Sequence, residues 1–81
     1  MKKKSYYFIN SLGKAAKILE VLAGAEELSV SEIGKRLGMH RSATHRFLAT
    51  LRELGFLEQS EDSCYRLSFK LFELGMKINV S

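Results

Sequence analysis

Apolar residues recur three and four apart through much of this chain, the spacing that lays one greasy stripe along an α-helix. Leu12, Ala15, Ala16, Leu19, Val21, Leu22 and Ala23 give a broad apolar face to a first helix, with Ser11 as its N-cap and Gly24 as its stop. Glu26 and Glu27 fall in the connection that follows, and Leu28 to Val30 reads as a very short strand. Ser31 is then placed as the cap of a second helix. In it Ile33 and Leu37 lie four apart on one face, and Gly38 ends it after two turns. Gly38-Met39-His40 is the turn, with the glycine free to take the positive φ that a sharp reversal demands.

A third helix runs from about Arg41 to Leu54. With Thr44 at the origin of a helical wheel, Phe47, Leu48, Leu51 and Leu54 cluster within about 80° on either side. Ser42, His45, Arg46 and Ala49 fall on the opposite half, so one face is built to pack and the other to donate hydrogen bonds. Gly55 closes this helix. Phe56 to Gln59 and Cys64 to Leu67 read as two short strands joined by the turn-rich Ser60-Glu61-Asp62-Ser63, hence a hairpin. Ser68 caps a last helix made amphipathic by Phe69, Leu71, Phe72, Leu74 and Ile78, with Gly75 a weak point.

The fold class is therefore mostly α with a small β-wing: a winged helix–turn–helix with a three-helix core, a two-stranded hairpin and a C-terminal linker helix. Residues 1–10 form a basic N-terminal arm, 11–67 the winged domain with its helix–turn–helix at 30–51, and 68–81 the linker helix.

Composition narrows the picture. Eighty-one residues make one small domain that buries only about 60 to 65% of its unfolded surface. A hydrophobic content of 46% argues against disorder. No apolar run reaches the roughly 18 to 20 residues a membrane span needs, and the run after the basic start is too short for a secretory signal. The lone Cys64 has no internal disulfide partner and fits a reducing cytoplasm. The net charge of +4 owes most to Lys2, Lys3 and Lys4. Without them the body is nearly neutral, so position matters more than total. From Ile33 to Leu51 there are four bases, Lys35, Arg36, Arg41 and Arg46, and no acid; Arg52 follows at once. The chain stops in an apparently helical stretch, as expected of a fragment of a longer protein; a natural chain of this length is the alternative.

The segments SLGKAAKILEVL, SEIGKRLGM, RSATHRFLATLRELGFLE and YRLSFKLFELG together resemble the isocitrate-lyase-regulator (IclR) family of bacterial transcription regulators, over about residues 11 to 77. The last segment is similar to the family's Tyr-Arg-Leu-Gly…Leu-Gly, where the wing runs into the linker helix. Three departures stand out. His40 replaces the proline that often precedes the recognition helix, Ser42-Ala43-Thr44 replaces Ser-Thr-Val, and Ser68 replaces a glycine. Thr44 thus puts a hydroxyl where an aliphatic side chain normally packs, and it is expected to bond back to the carbonyl of residue 40 or 41. The resemblance implies a repressor or activator that binds double-stranded DNA as a dimer or tetramer. It also implies a C-terminal domain for a small-molecule effector, absent from this sequence, and no cofactor.

The candidate contacts follow from the outward face. Arg41 and Arg46 suit guanine edges or phosphates, Ser42 and His45 several base edges, and Ala49 a thymine methyl; an ordinary solvated face is the alternative. Ser31 stands where helix N–H groups hold phosphate, or it is a plain structural cap. Lys35 and Arg36 reach phosphate or simply face solvent. Arg66 is the wing's cation, while Glu58, Glu61 and Asp62 are expected to keep the wing tip out of the groove. Lys2 to Lys4 enter a minor groove or serve as a solubilising tail. Tyr6, Tyr7 and Phe8, together with Phe69, Phe72 and the apolar side of the first helix, exceed what a small core needs and point to a dimer contact; simple core packing is the alternative.

His40 and His45 lack companions for a metal site, and Cys64, a packed or half-exposed thiol, lacks an activating partner. No nucleotide loop, triad or paired carboxylates point to an enzyme. The expected function is sequence-specific recognition of a pseudo-palindromic duplex operator by the domain of a homodimer or tetramer in the cytoplasm. A winged helix used as a protein-interaction module, without DNA, is the alternative.

Overall fold

The computed structural model describes residues 5–79. The basic run Lys2–Lys4 lies outside them. The elements follow the order α1 (Asn10–Ala23), α2 (Val30–Leu37), α3 (Arg41–Glu53), β1 (Leu57–Gln59), β2 (Tyr65–Leu67) and α4 (Phe69–Gly75). The three longer helices and the hairpin enclose one core of Ile18, Leu22, Leu28, Ile33, Leu48, Leu51, Leu57 and Tyr65.

Two caps differ from the sequence expectation. Helix α1 starts at Asn10 with Ile9 as its N-cap, so Ser11 sits inside the first turn. Helix α2 starts at Val30 and is capped by Ser29, not Ser31. The Ser29 hydroxyl accepts from the Glu32 amide at 3.1 Å, and the Glu32 carboxylate accepts from the Ser29 amide at 2.9 Å. This reciprocal pair is a capping box, which Ser31 cannot form because Gly34 stands three residues after it. The apolar stripe of α1 also settles differently: Ile18 and Leu22 are its buried residues, while Leu12 is 64% exposed.

The wing is antiparallel, with Leu57 opposite Leu67, Glu58 opposite Arg66 and Gln59 opposite Tyr65. Tyr65 also exchanges both backbone hydrogen bonds with Leu28, at 2.7 and 3.0 Å. The short strand expected at Leu28–Val30 is reduced to this single bridge. It nevertheless ties the wing to the α1–α2 connection, and the Tyr65 ring, 2% exposed, completes the core. The last helix is short and buries no residue fully. Three bonds hold it to the end of α3: Ser68 N to the Phe56 carbonyl, the Ser68 hydroxyl to the Gly55 carbonyl, and Lys70 Nζ to the Leu54 carbonyl.

Candidate nucleic-acid interface

The pair α2–α3 is set by close backbone approach. A Cβ built on Gly34 would stand 3.2 Å from Thr44 Oγ1 and 3.0 Å from the Met39 carbonyl oxygen, so any larger residue here makes its neighbours give way by a few tenths of an ångström. The reversal between them uses Gly38, at φ 66°, and the Met39 amide closes onto the Gly34 carbonyl at 2.9 Å. Thr44 is fully buried, and its hydroxyl donates to the His40 carbonyl at 2.8 Å. That bond satisfies the polar atom that the sequence places on the packing face.

With Thr44, Leu48 and Leu51 inward, the opposite face of α3 is presented to solvent. Ser42, His45, Arg46 and Ala49 are exposed on it, Arg41 is exposed at its edge, and the first turn holds no acid and has no side-chain cap. A positive helix end with uncapped N–H groups beside Arg41 is an electrostatic match for an anion. Leu54, expected on the packing face, is the C-cap residue and 53% exposed. On α2, Ser31, Lys35 and Arg36 are exposed. Ser31 lies exposed in the first turn of α2, and the cap itself is Ser29. Glu32 is held below the usual carboxylate range, first by the Ser29 backbone hydrogen bond, then by the Ser29 side chain, with Arg36 and Lys35 adding to it. The one acid within residues 30–51 is thus engaged at the N-terminus of α2.

The wing carries a different electrostatic pattern. Arg66 donates to Glu58 at 3.1 Å and lies 3.8 Å from Glu27, so two carboxylates share the cation proposed for it from sequence. Glu61 and Asp62 are exposed at the tip. Cys64 is half-buried, and desolvation, followed by the nearby Glu27, pushes its thiol up in pKa, away from thiolate chemistry.

The structure therefore brings Arg41, Ser42, His45, Arg46 and Ala49 onto one helical face, sets Ser31 and Arg36 on the neighbouring helix, and leaves Arg66 on the wing. Sequence reasoning did not single out Ser29, Gly34 or Lys70. Ser29 was readable from the Ser-x-x-Glu spacing of residues 29 to 32. Gly34 had no signal, since a helix–helix contact is invisible without the partner.

The model of the IclR helix-turn-helix domain matches residues 11–61 of this chain. The chain belongs to the IclR family. It is 39% identical over 70 residues to the HTH-type transcriptional regulator KdgR of Dickeya chrysanthemi, covering 85% of this chain and 23% of that protein. It is 42% identical over 69 residues to the glycerol operon regulatory protein of Streptomyces coelicolor, covering 83% and 27%. Among solved structures it superposes on the IclR of Thermotoga maritima with a TM-score of 0.77 at 31% identity, over 89% of this chain and 31% of that one. The chain thus spans about a quarter of the length of these curated relatives. The match places it as the DNA-binding winged helix of a family of transcriptional regulators rather than of enzymes. No helix among the described residues is long and apolar enough to cross a membrane.

Proposed function

We propose that this IclR-family domain reads a specific duplex sequence with α3 in the major groove, Arg41, Ser42, His45 and Arg46 at base edges and Ala49 against a thymine methyl. Ser31 and Arg36, on α2, brace the domain on the phosphate backbone. The observation that carries this reading is the acid-free, exposed α3 face from Arg41 to Ala49, on a helix whose other face is locked into the core. Arg66, shared by Glu58 and Glu27, has less to offer a phosphate.

The exposed Tyr6, Tyr7, Leu12, Phe69 and Phe72 support pairing of two domains. A symmetric pair reads a pseudo-palindrome with half-sites about one helical turn apart, or a multiple of it. In a longer cytoplasmic regulator carrying this domain, a second domain binds a small effector and alters the spacing of the two heads, giving repression or activation.

The test is selection of a duplex site by the 81-residue chain, followed by binding of Arg46→Ala to that site and to random DNA. The substitution is expected to cost about 1–3 kcal/mol on the selected site and to narrow the gap to random DNA. Equal loss, or no loss, on both would defeat the assignment. Binding of wild type that ignores salt would favour a protein-interaction module, because phosphate contacts give a steep negative salt slope.

A further inference from the structure

Resting on the DNA-binding reading above, we propose that Arg52, positioned by Gln59, is the cation that the wing side of this domain offers to a DNA phosphate, and that Arg66 is not. Two arginines flank the wing, and their partners differ in charge. The side chain of Arg66 is about half-exposed, at 47%, and sits between the carboxylates of Glu58 and Glu27. One positive charge between two negative ones leaves a patch that repels phosphate. Arg52, exposed near the end of α3, donates from Nη1 to the amide oxygen of Gln59 on β1. Among the described residues, no carboxylate lies within ion-pair distance of it. A neutral acceptor fixes the guanidinium without neutralising it. One of five N–H donors is used, and the others remain for an oxyanion.

The anchor is firm because Gln59 stands opposite Tyr65 in the hairpin, and Tyr65 is buried in the core and bridged to Leu28. The direction also fits. At about 100° per residue, Arg41, His45 and Arg52 fall within about 40° of one another along α3. Glu53 lies about 100° further round. Arg46 and Thr50 form the other edge, lining an apolar groove with Leu12 and Ala15 of α1. The Gln59 bond shows that the Arg41–His45–Arg52 edge meets the wing at Arg52. Cations at its two ends stand about 16 Å apart along the helix axis. A guanidinium tied at the seam of helix and wing has lost its rotamer freedom before binding, so less is lost when the phosphate arrives.

The experiment measures affinity of the 81-residue chain for its selected duplex and for random duplex across a salt series. Arg52→Ala is expected to weaken both by a similar factor, roughly three- to tenfold, and to make the log–log salt slope shallower by about 0.9. Arg52→Lys keeps the slope and loses part of the affinity. Gln59→Ala weakens binding while the slope stays, since the charge is intact but no longer held. Arg66→Ala leaves affinity and slope near wild type. Thermal melts accompany each variant, and Arg52→Gln, which keeps the stem, gives the reading if Arg52→Ala melts early. An unchanged slope in both Arg52→Ala and Arg52→Gln overturns the proposal, as does a slope loss found in Arg66→Ala instead. Loss of discrimination in Arg46→Ala with Arg52 variants indifferent sinks this assignment alone, whereas salt-independent binding of wild type sinks the DNA reading beneath it.

Discussion

Gly34 of α2 and Thr44 of α3 meet so closely that one added methyl at Gly34 would press on the Thr44 hydroxyl at 3.2 Å. The Met39 carbonyl, 3.0 Å from the same point, is backbone and cannot swing aside. Gly34→Ala is expected to shift the Met39 turn and Thr44 by a few tenths of an ångström and strain the α2–α3 contact. The expected cost is about 1–3 kcal/mol, seen as a thermal midpoint lowered by roughly 5 to 20 °C. Circular dichroism melts check it; a variant melting with wild type would mean the two helices separate without penalty. On the proposed reading of α3 as the base-reading helix, the same variant should also lose duplex discrimination, because the α2–α3 contact that aims it is strained.

The Ser29–Glu32 capping box makes stability depend on acid in a defined direction. Ser29→Ala removes the acceptor for the Glu32 amide and is expected to cost about 1 kcal/mol. Glu32 in the folded chain sits below its usual value of 4.5, chiefly through the Ser29 backbone hydrogen bond. A depressed folded pKa gives stabilisation that is fully present above the unfolded pKa and lost as pH falls through the folded one. Glu32→Gln should thus destabilise at pH 7, and the gap to wild type should close as the solution is acidified from 4.5 down through the lowered pKa of folded Glu32. Denaturant titrations at several pH values read this out. A gap that widens in acid would contradict the sign.

Lys70 holds α4 to the body. Its ammonium donates to the Leu54 carbonyl at 2.8 Å, one of the open carbonyls at the end of α3, and lies 4.8 Å from the Phe56 ring centroid. With no fully buried residue in α4, few contacts replace this one. Lys70→Met is expected to lower stability by about 0.5–1.5 kcal/mol and to expose residues 69–75 to proteolysis. Adding Ser68→Ala, which removes the bond to the Gly55 carbonyl, should increase that cleavage. Cleavage unchanged in the double variant would show that apolar contact alone docks the helix.

Much of the candidate site was legible because a helix has one period. Ile33 and Leu37 spaced by four, and Thr44, Leu48 and Leu51 on one side of a wheel, already divide the inward from the outward face. The back-bond of Thr44 followed from putting a hydroxyl where only a backbone carbonyl is in reach. The cap of α2 was read two residues late because two serines compete there, and the choice turns on which has a glutamate at the third following position. The apolar stripe of α1 was broader than the core it meets, so residues such as Leu12 stay outside. Linker helix α4 ends at Gly75, shorter than its apolar pattern suggested, since little of it packs.

The sequence by itself determined the order of elements, the turn at Gly38 and the polar face from Arg41 to Ala49, because these depend on local spacing and on backbone freedom at single residues. Only the tertiary structure decided which partner each charge has. Arg52 and Arg66 look alike in the chain, yet the hairpin register sets Glu58 across from Arg66, and the fold brings Glu27 to the same arginine and Gln59 to Arg52. Electrostatic interaction falls with distance through space, and residues far apart in sequence come within a few ångströms only when the core has closed.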